Sequence, residues 1–150
     1  MTQLPIYTVQ AYLDHLQAGD TAALISTFED DGVVHSPFLG TMPAGEFFKK
    51  LAQASSKSVI TLIDLFQSVQ ASSVVRVAAY FRYDWTLTDG TIVDFTCVDV
   101  FNFRPGSSRI HEMQIVLTLT RCARRWATST PRIAEKHRRA LVQCFTLCGT

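Results

Sequence analysis

Apolar residues recur at helical spacing in the first third of the chain and at strand spacing over much of the rest. Val9, Tyr12, Leu13 and Leu16 fall three and four apart, which predicts one apolar face of a helix opened by Pro5 and ended near Gly19. Asp20 is a good N-cap for a short second helix carrying Ala23, Leu24 and Phe28. The acidic turn Glu29-Asp30-Asp31-Gly32 ends that helix, and Val33 to Ser36 reads as a short strand stopped by Pro37. Thr41 to Pro43 opens a third helix with Phe47, Phe48 and Leu51 on its apolar side. From Ser58 the period changes to two, and strands are expected over 58–68, 73–87, 91–103 and 109–118. Thr88-Asp89-Gly90-Thr91 is a strong hairpin signal between the second and third of these. Helices followed by hairpin-joined strands predict an α+β fold, with helices packed on one face of an antiparallel sheet.

Alternation also says which side chains face inward. In 73–87 the residues Val75, Val77, Ala79, Phe81, Tyr83 and Trp85 share one face, while Arg76, Arg82 and Asp84 share the other. In 91–103 the apolar face carries Val93, Phe95, Cys97, Phe101 and Phe103, and Asp99 falls among them. A carboxylate there carries a large desolvation cost unless it is paired or protonated. No basic residue lies within the strand to pair with it. A bulge that shifts the parity, or an arginine from elsewhere, would remove the conflict; otherwise Asp99 is a buried acid of raised pKa and a candidate functional group. Tyr12, mid-helix among apolar neighbours, reads either as core filling or as the partner of that acid. Val34 and Ser36 share a face of the short strand, opposite His35. With Phe81, Tyr83, Phe95, Phe101, Met113 and Ile115 they form the expected lining of an apolar ligand pocket.

Composition narrows the classes. The chain has 150 residues, 47% apolar and 18% charged, enough for one domain with a real core. No apolar run reaches a membrane-spanning length, so no transmembrane segment is expected. The first residues show neither a basic nor an apolar leader region, which predicts a cytoplasmic protein. Cys97, Cys122, Cys144 and Cys148 have no metal-ligand spacing, and no Gly-rich phosphate loop follows a strand. Neither a metal nor a cofactor is expected. Charge divides the chain: residues 1–120 carry seven Lys/Arg and twelve Asp/Glu, whereas 121–150 carry seven Lys/Arg and only Glu135. The expected organisation is a domain over 1–120 and a basic amphipathic extension over 121–150. The extension predicts an additional C-terminal helix after Pro131, with Ile133, His137, Ala140, Leu141, Cys144 and Phe145 on one side. Such a helix would dock on the domain or a second subunit; contact with an anionic surface is the weaker alternative, and too few aromatics interleave its bases to favour nucleic acid.

Several short patterns, in order, resemble the nuclear transport factor 2-like superfamily, which includes the SnoaL-like proteins and ketosteroid isomerase. They are Ala18-Gly19-Asp20, the run Phe28 to Pro37, the Gly40 to Leu51 segment, and Val98 to Phe103 followed by Arg109 to Gln114. The resemblance covers about residues 4–118 and implies a cone-shaped, cystatin-like curved sheet wrapped by N-terminal helices, often as a homodimer. Ketosteroid isomerase is the nearest functional likeness. It implies an oxyanion hole made by Tyr12, eight residues before Asp20, and Asp99, with a small apolar molecule as ligand. The isomerase's proton-shuttling aspartate, immediately before the strand-ending proline, is here Ser36, a far weaker base. A non-catalytic ligand-binding or dimerisation module is therefore the alternative. A SnoaL-like cyclase or epoxide hydrolase is the third: Arg82-Tyr83-Asp84 imitates half of the hydrolase site, but the second acid falls near the aliphatic Ile115.

Overall fold

In the computed structural model, residues 4–37, 39–69 and 74–118 are described. The expected helix over 131–148 lies outside them. Helix α1 (Pro5–Ala18) ends at Gly19, whose φ of 70° suits the left-handed C-cap, and α2 (Thr21–Ser26) is capped by Asp20 accepting from the Ala23 N–H at 3.0 Å. Strands β1 (Phe28–Ser36) and β2 (Gly40–Pro43) follow, then α3 (Ala44–Ala54). The long strands β3 (Ser55–Gln67), β4 (Val75–Leu87) and β5 (Ile92–Phe103) and the shorter β6 (Ile110–Thr118) complete a six-stranded sheet of order β2-β1-β6-β5-β4-β3. All neighbours are antiparallel except β1 and β6, which run parallel. No helix among the described residues is long and apolar enough to cross a membrane.

The α+β class and the curved, unclosed sheet packed against helices match the sequence reading, with three local corrections. Phe28 is the first residue of β1 rather than part of α2. Glu29 to Gly32 lie within that strand rather than in a turn, and carboxylates there are held by arginines of the β5–β6 connection: Arg104 bonds Glu29 and Asp31, and Arg109 bonds Asp30. Thr41 to Pro43 belongs to β2, so α3 starts at Ala44. A short polar edge strand has no alternating pattern to reveal it.

The pairing of β1 with β6 slips between Phe28 and Val33. Gly32 sits at that irregularity because the chain closes on itself. A Cβ there would lie 2.9 Å from the Glu29 carbonyl oxygen and 3.2 Å from that of Ile110. Beyond the slip, Val34 and Ser36 turn inward and are buried. His35 turns outward, bonded to Thr41 on β2 (2.7 Å) and Glu112 on β6 (2.6 Å).

The core fills the space between the helices and the inner face of the sheet. Val9, Tyr12, Leu13 and Leu16 of α1, and Phe47 and Phe48 of α3, meet Val77, Phe81, Trp85, Phe101 and Phe103 from the strands. The outer face is mixed, with Phe66 and Val116 exposed beside Arg82 and Asp84. Gly32→Ala is expected to destabilise the fold by about 1–3 kcal/mol, the usual cost of overpacking. Gly45→Ala, in the first turn of α3 with nothing near its missing Cβ, is expected to be neutral or stabilising by up to about 1 kcal/mol. Urea unfolding of the two variants checks the contrast.

Candidate functional site

Strand β5 carries Asp99 into the sheet's inner face, as alternation requires, and α1 lays Tyr12 over it. The Tyr12 hydroxyl donates to Asp99 Oδ2 at 3.4 Å, a long bond. Tyr12 is held edge-on by Phe101, Phe48 and Phe28, with ring centroids 5.0, 5.9 and 6.1 Å away. Asp99 is only 3% exposed, and its lateral neighbours are Ala79 on β4 and Ile115 on β6, neither of which offers a hydrogen bond from its side chain. Its second oxygen, Oδ1, is buried without a hydrogen-bond partner.

These two residues line a cavity of about 60 Å³ together with Leu16, Ser36, Phe47, Phe48, Leu51, Phe81, Tyr83, Trp85, Phe95, Cys97 and Ile115. Of the expected lining, Ser36, Phe81, Tyr83, Phe95 and Ile115 reach it. Val34, Phe101 and Met113 are fully buried and do not line it. Inward parity put them in the core, but parity does not say how far along a strand the cavity extends. The lining also includes side chains the sequence reading left out. Leu16 lies one turn beyond Tyr12, Trp85 and Cys97 lie on the inner faces of β4 and β5, and Phe47, Phe48 and Leu51 come from α3. Spacing identifies their inward faces but not the crossing of α3 over the sheet.

None of the described residues lining the cavity is a lysine or arginine. Burial pushes the Asp99 carboxyl up to about 7, against a smaller opposing pull from the Tyr12 hydrogen bond. Burial, and then the neighbouring Asp99, hold the Tyr12 phenol well above its ordinary value. Burial also raises the Cys97 thiol and the Tyr83 phenol, so neither is an anion at neutral pH. Below pH 7 the cavity therefore presents two neutral O–H groups, one phenolic and one carboxylic, in apolar surroundings. Ser36 lies in the wall, its oxygen accepting the Leu39 N–H at 3.3 Å, while His35 is committed to Thr41 and Glu112 on the opposite face.

Two other constellations resolve as ion pairs. Arg82 is bonded to Asp84 at 2.7 Å on the outer face, so the hydrolase-like Arg-x-Asp points away from the cavity. Glu29, Asp31 and His111 could in principle share a metal, but the Arg104 guanidinium bonds both carboxylates and holds Asp31 below its usual range.

Comparison with known proteins comes down to one domain family and a common fold. A family model described as a SnoaL-like domain matches residues 9–113. No curated protein is recognisably similar in sequence. Among solved structures, the epoxide hydrolase/cyclase-like enzyme SalBIII of salinomycin pyran ring formation is similar, at 20% identity, TM-score 0.64, and 77% and 92% coverage of this chain and of that one. A cystatin fold protein from Novosphingobium aromaticivorans is similar at 17% identity, TM-score 0.63, and 77% and 98% coverage. A ketosteroid isomerase-like protein from Erwinia carotovora atroseptica is similar at 17% identity, TM-score 0.61, and 74% and 91% coverage. Likeness at these identities is a likeness of fold.

Because the folded-state pKa of Asp99 lies above its ordinary 3.8, ionising it costs the folded protein stability. The contribution of this group to folding stability is therefore lost as pH rises from about 4 to about 7 and is constant above that window. Asp99→Asn is expected to be more stable than the parent at pH 8, by on the order of 3 kcal/mol, and to lose that advantage towards pH 4. Urea titrations across the range measure it, and carboxyl carbon NMR of the parent should place the Asp99 midpoint near 7.

Proposed function

The chain belongs to the SnoaL-like domain family, and on that footing we propose that its cavity binds an apolar molecule through one uncharged carbonyl or phenol oxygen, held by Tyr12 and Asp99. The observation that carries this reading is the meeting of a buried phenol and a buried, unpaired carboxyl in an otherwise apolar space. A ligand carbonyl would accept from both O–H groups, and a ligand phenol would donate to one and accept from the other. In a dry site such donors are worth far more than in water, and they respond most strongly to an oxygen on which negative charge develops. A ligand that is itself anionic, or that brings a cationic group into the cavity, would find no counter-ion and no solvent.

The same donors would stabilise an enolate, which is the resemblance to ketosteroid isomerase. Proton transfer at carbon needs a base as well, and Ser36 occupies the place where one is needed. This favours a second reading, a binder that recognises the ligand without converting it. Both readings share the site and differ in turnover.

A 4-alkylphenol such as 4-hexylphenol is expected to bind, with affinity falling roughly tenfold in Tyr12→Phe and in Asp99→Leu, the effect of losing one buried hydrogen-bonding group. Unchanged affinity in both variants would remove the site. Turnover is read separately, by the absorbance of the conjugated product from a β,γ-unsaturated ketone. A rate that appears only in Ser36→Asp marks the parent as a binder; a rate in the parent marks it as an enzyme.

A further inference from the structure

Beside the apolar cavity lies a second, larger one of about 310 Å³, between the end of α1, α2, α3 and the start of β3. The two share Leu16, Phe48, Leu51 and Tyr83 as a common wall. Their chemistry differs. The outer groove is bordered by His15, Gln17, Lys57 and the serines of β3, and no carboxylate lines it. That is notable in a domain where acidic residues outnumber basic ones twelve to seven over 1–120. Lys57 is exposed and makes no ion pair among the described residues. The Gln17 carbonyl oxygen accepts the Ile60 N–H at 2.8 Å, which leaves its amide N–H groups as donors. Ser55 and Ser56 spend their hydroxyl protons on the Leu51, Thr86 and Leu87 carbonyls. The polar side chains bordering the groove therefore include an ammonium, an amide with N–H groups to donate, an imidazole and the Thr21 hydroxyl.

Size points the same way. The inner cavity, at about 60 Å³, takes a small head group rather than a whole extended molecule, and the space to continue lies across the shared wall. Tyr83 stands in that wall with its hydroxyl bonded to Ser58 at 2.8 Å, so its polar end faces the groove side while its ring lines the cavity. Leu16, Leu51 and Phe48 form the rest of that wall.

We propose that the two cavities form one bipartite site for an amphipathic ligand: an uncharged, oxygen-bearing head beside Tyr12 and Asp99, and an anionic tail group, a carboxylate, in the outer groove at Lys57 and Gln17. The proposal rests on the reading of the inner cavity given above. It adds that the ligand's charge is recognised at the far end of the molecule from its reactive oxygen, where solvent and a cation are available. The Tyr83 side chain is the element the ligand must pass.

The test is a matched series. Each 4-(ω-carboxyalkyl)phenol, with two to eight methylenes, is titrated against the 4-alkylphenol of equal length that ends in methyl. At low salt the carboxylate is expected to bind roughly three- to fivefold more tightly than its methyl partner at one preferred length, as befits a partly exposed ion pair. That preference should shrink as ionic strength rises. It should disappear in Lys57→Gln. If no length gives the carboxylate an advantage while the methyl compounds still bind and respond to Tyr12→Phe, the outer subsite is overturned and the inner site stands. An advantage that survives in Lys57→Gln also overturns it. If no member of either series binds, both the subsite and the reading it rests on fall together.

Discussion

A carboxyl group buried in the interior, with a phenol as its one hydrogen-bond partner among the described residues, is the constraint around which this domain is arranged. Neutralising such a group with an arginine would be the ordinary solution, and the molecule uses it three times on its surface, at Glu29 and Asp31, at Asp30 and at Asp84. It does not use it at Asp99. There the flanking positions are Ala79 and Ile115, and the covering helix offers Tyr12. With no counter-charge beside it among the described residues, burial raises the carboxyl to about 7, and below that pH the acid is a hydrogen-bond donor rather than an anion.

The rest of the architecture keeps the arrangement dry and fixed. The aromatic rings of Phe28, Phe48 and Phe101 leave the Tyr12 ring no freedom to swing its hydroxyl away. Helix α3 covers the cavity with Phe47, Phe48 and Leu51, and Trp85 is anchored through its ring N–H to Ser55 at 2.8 Å. The family and the fold account for the shape of the container. What this chain does with it depends on the side chains set within that shape, among them Ser36, which is buried with its strand.

Much of this is legible from residue order because the strands are long and half-buried. Alternation alone places Asp99 on the face of Phe101 and Phe103, and the three- and four-residue spacing of Val9, Leu13 and Leu16 places Tyr12 on the apolar face of its helix, while the meeting of the two was implied only by the family resemblance. The parity of β1 likewise separates Ser36 from His35. Less visible were features set by pairing rather than by pattern. Strand β2 is four residues long and mostly exposed, and Glu29 to Asp31 look like a turn until the arginines opposite them are known. The cavity's limits were hidden as well: Val34, Phe101 and Met113 obey the inward rule yet fill the core, while the contribution of α3 depends on how that helix crosses the sheet. A linear pattern gives a side chain's facing but not its depth.

The clamp that fixes β1 from outside has an implication for how the activity of such a fold can change. His35 is tied to Thr41 and Glu112, and Asn102 braces the same glutamate at 2.7 Å, so three strands agree on which way residue 35 points. Since neighbouring positions on a strand face opposite sides, a shift of a single residue at the kink would exchange the imidazole for the hydroxymethyl group inside the cone. The two chemistries, an imidazole or an alcohol facing the interior, are thus separated by one step of backbone register, guarded by a polar lock on the far side of the sheet.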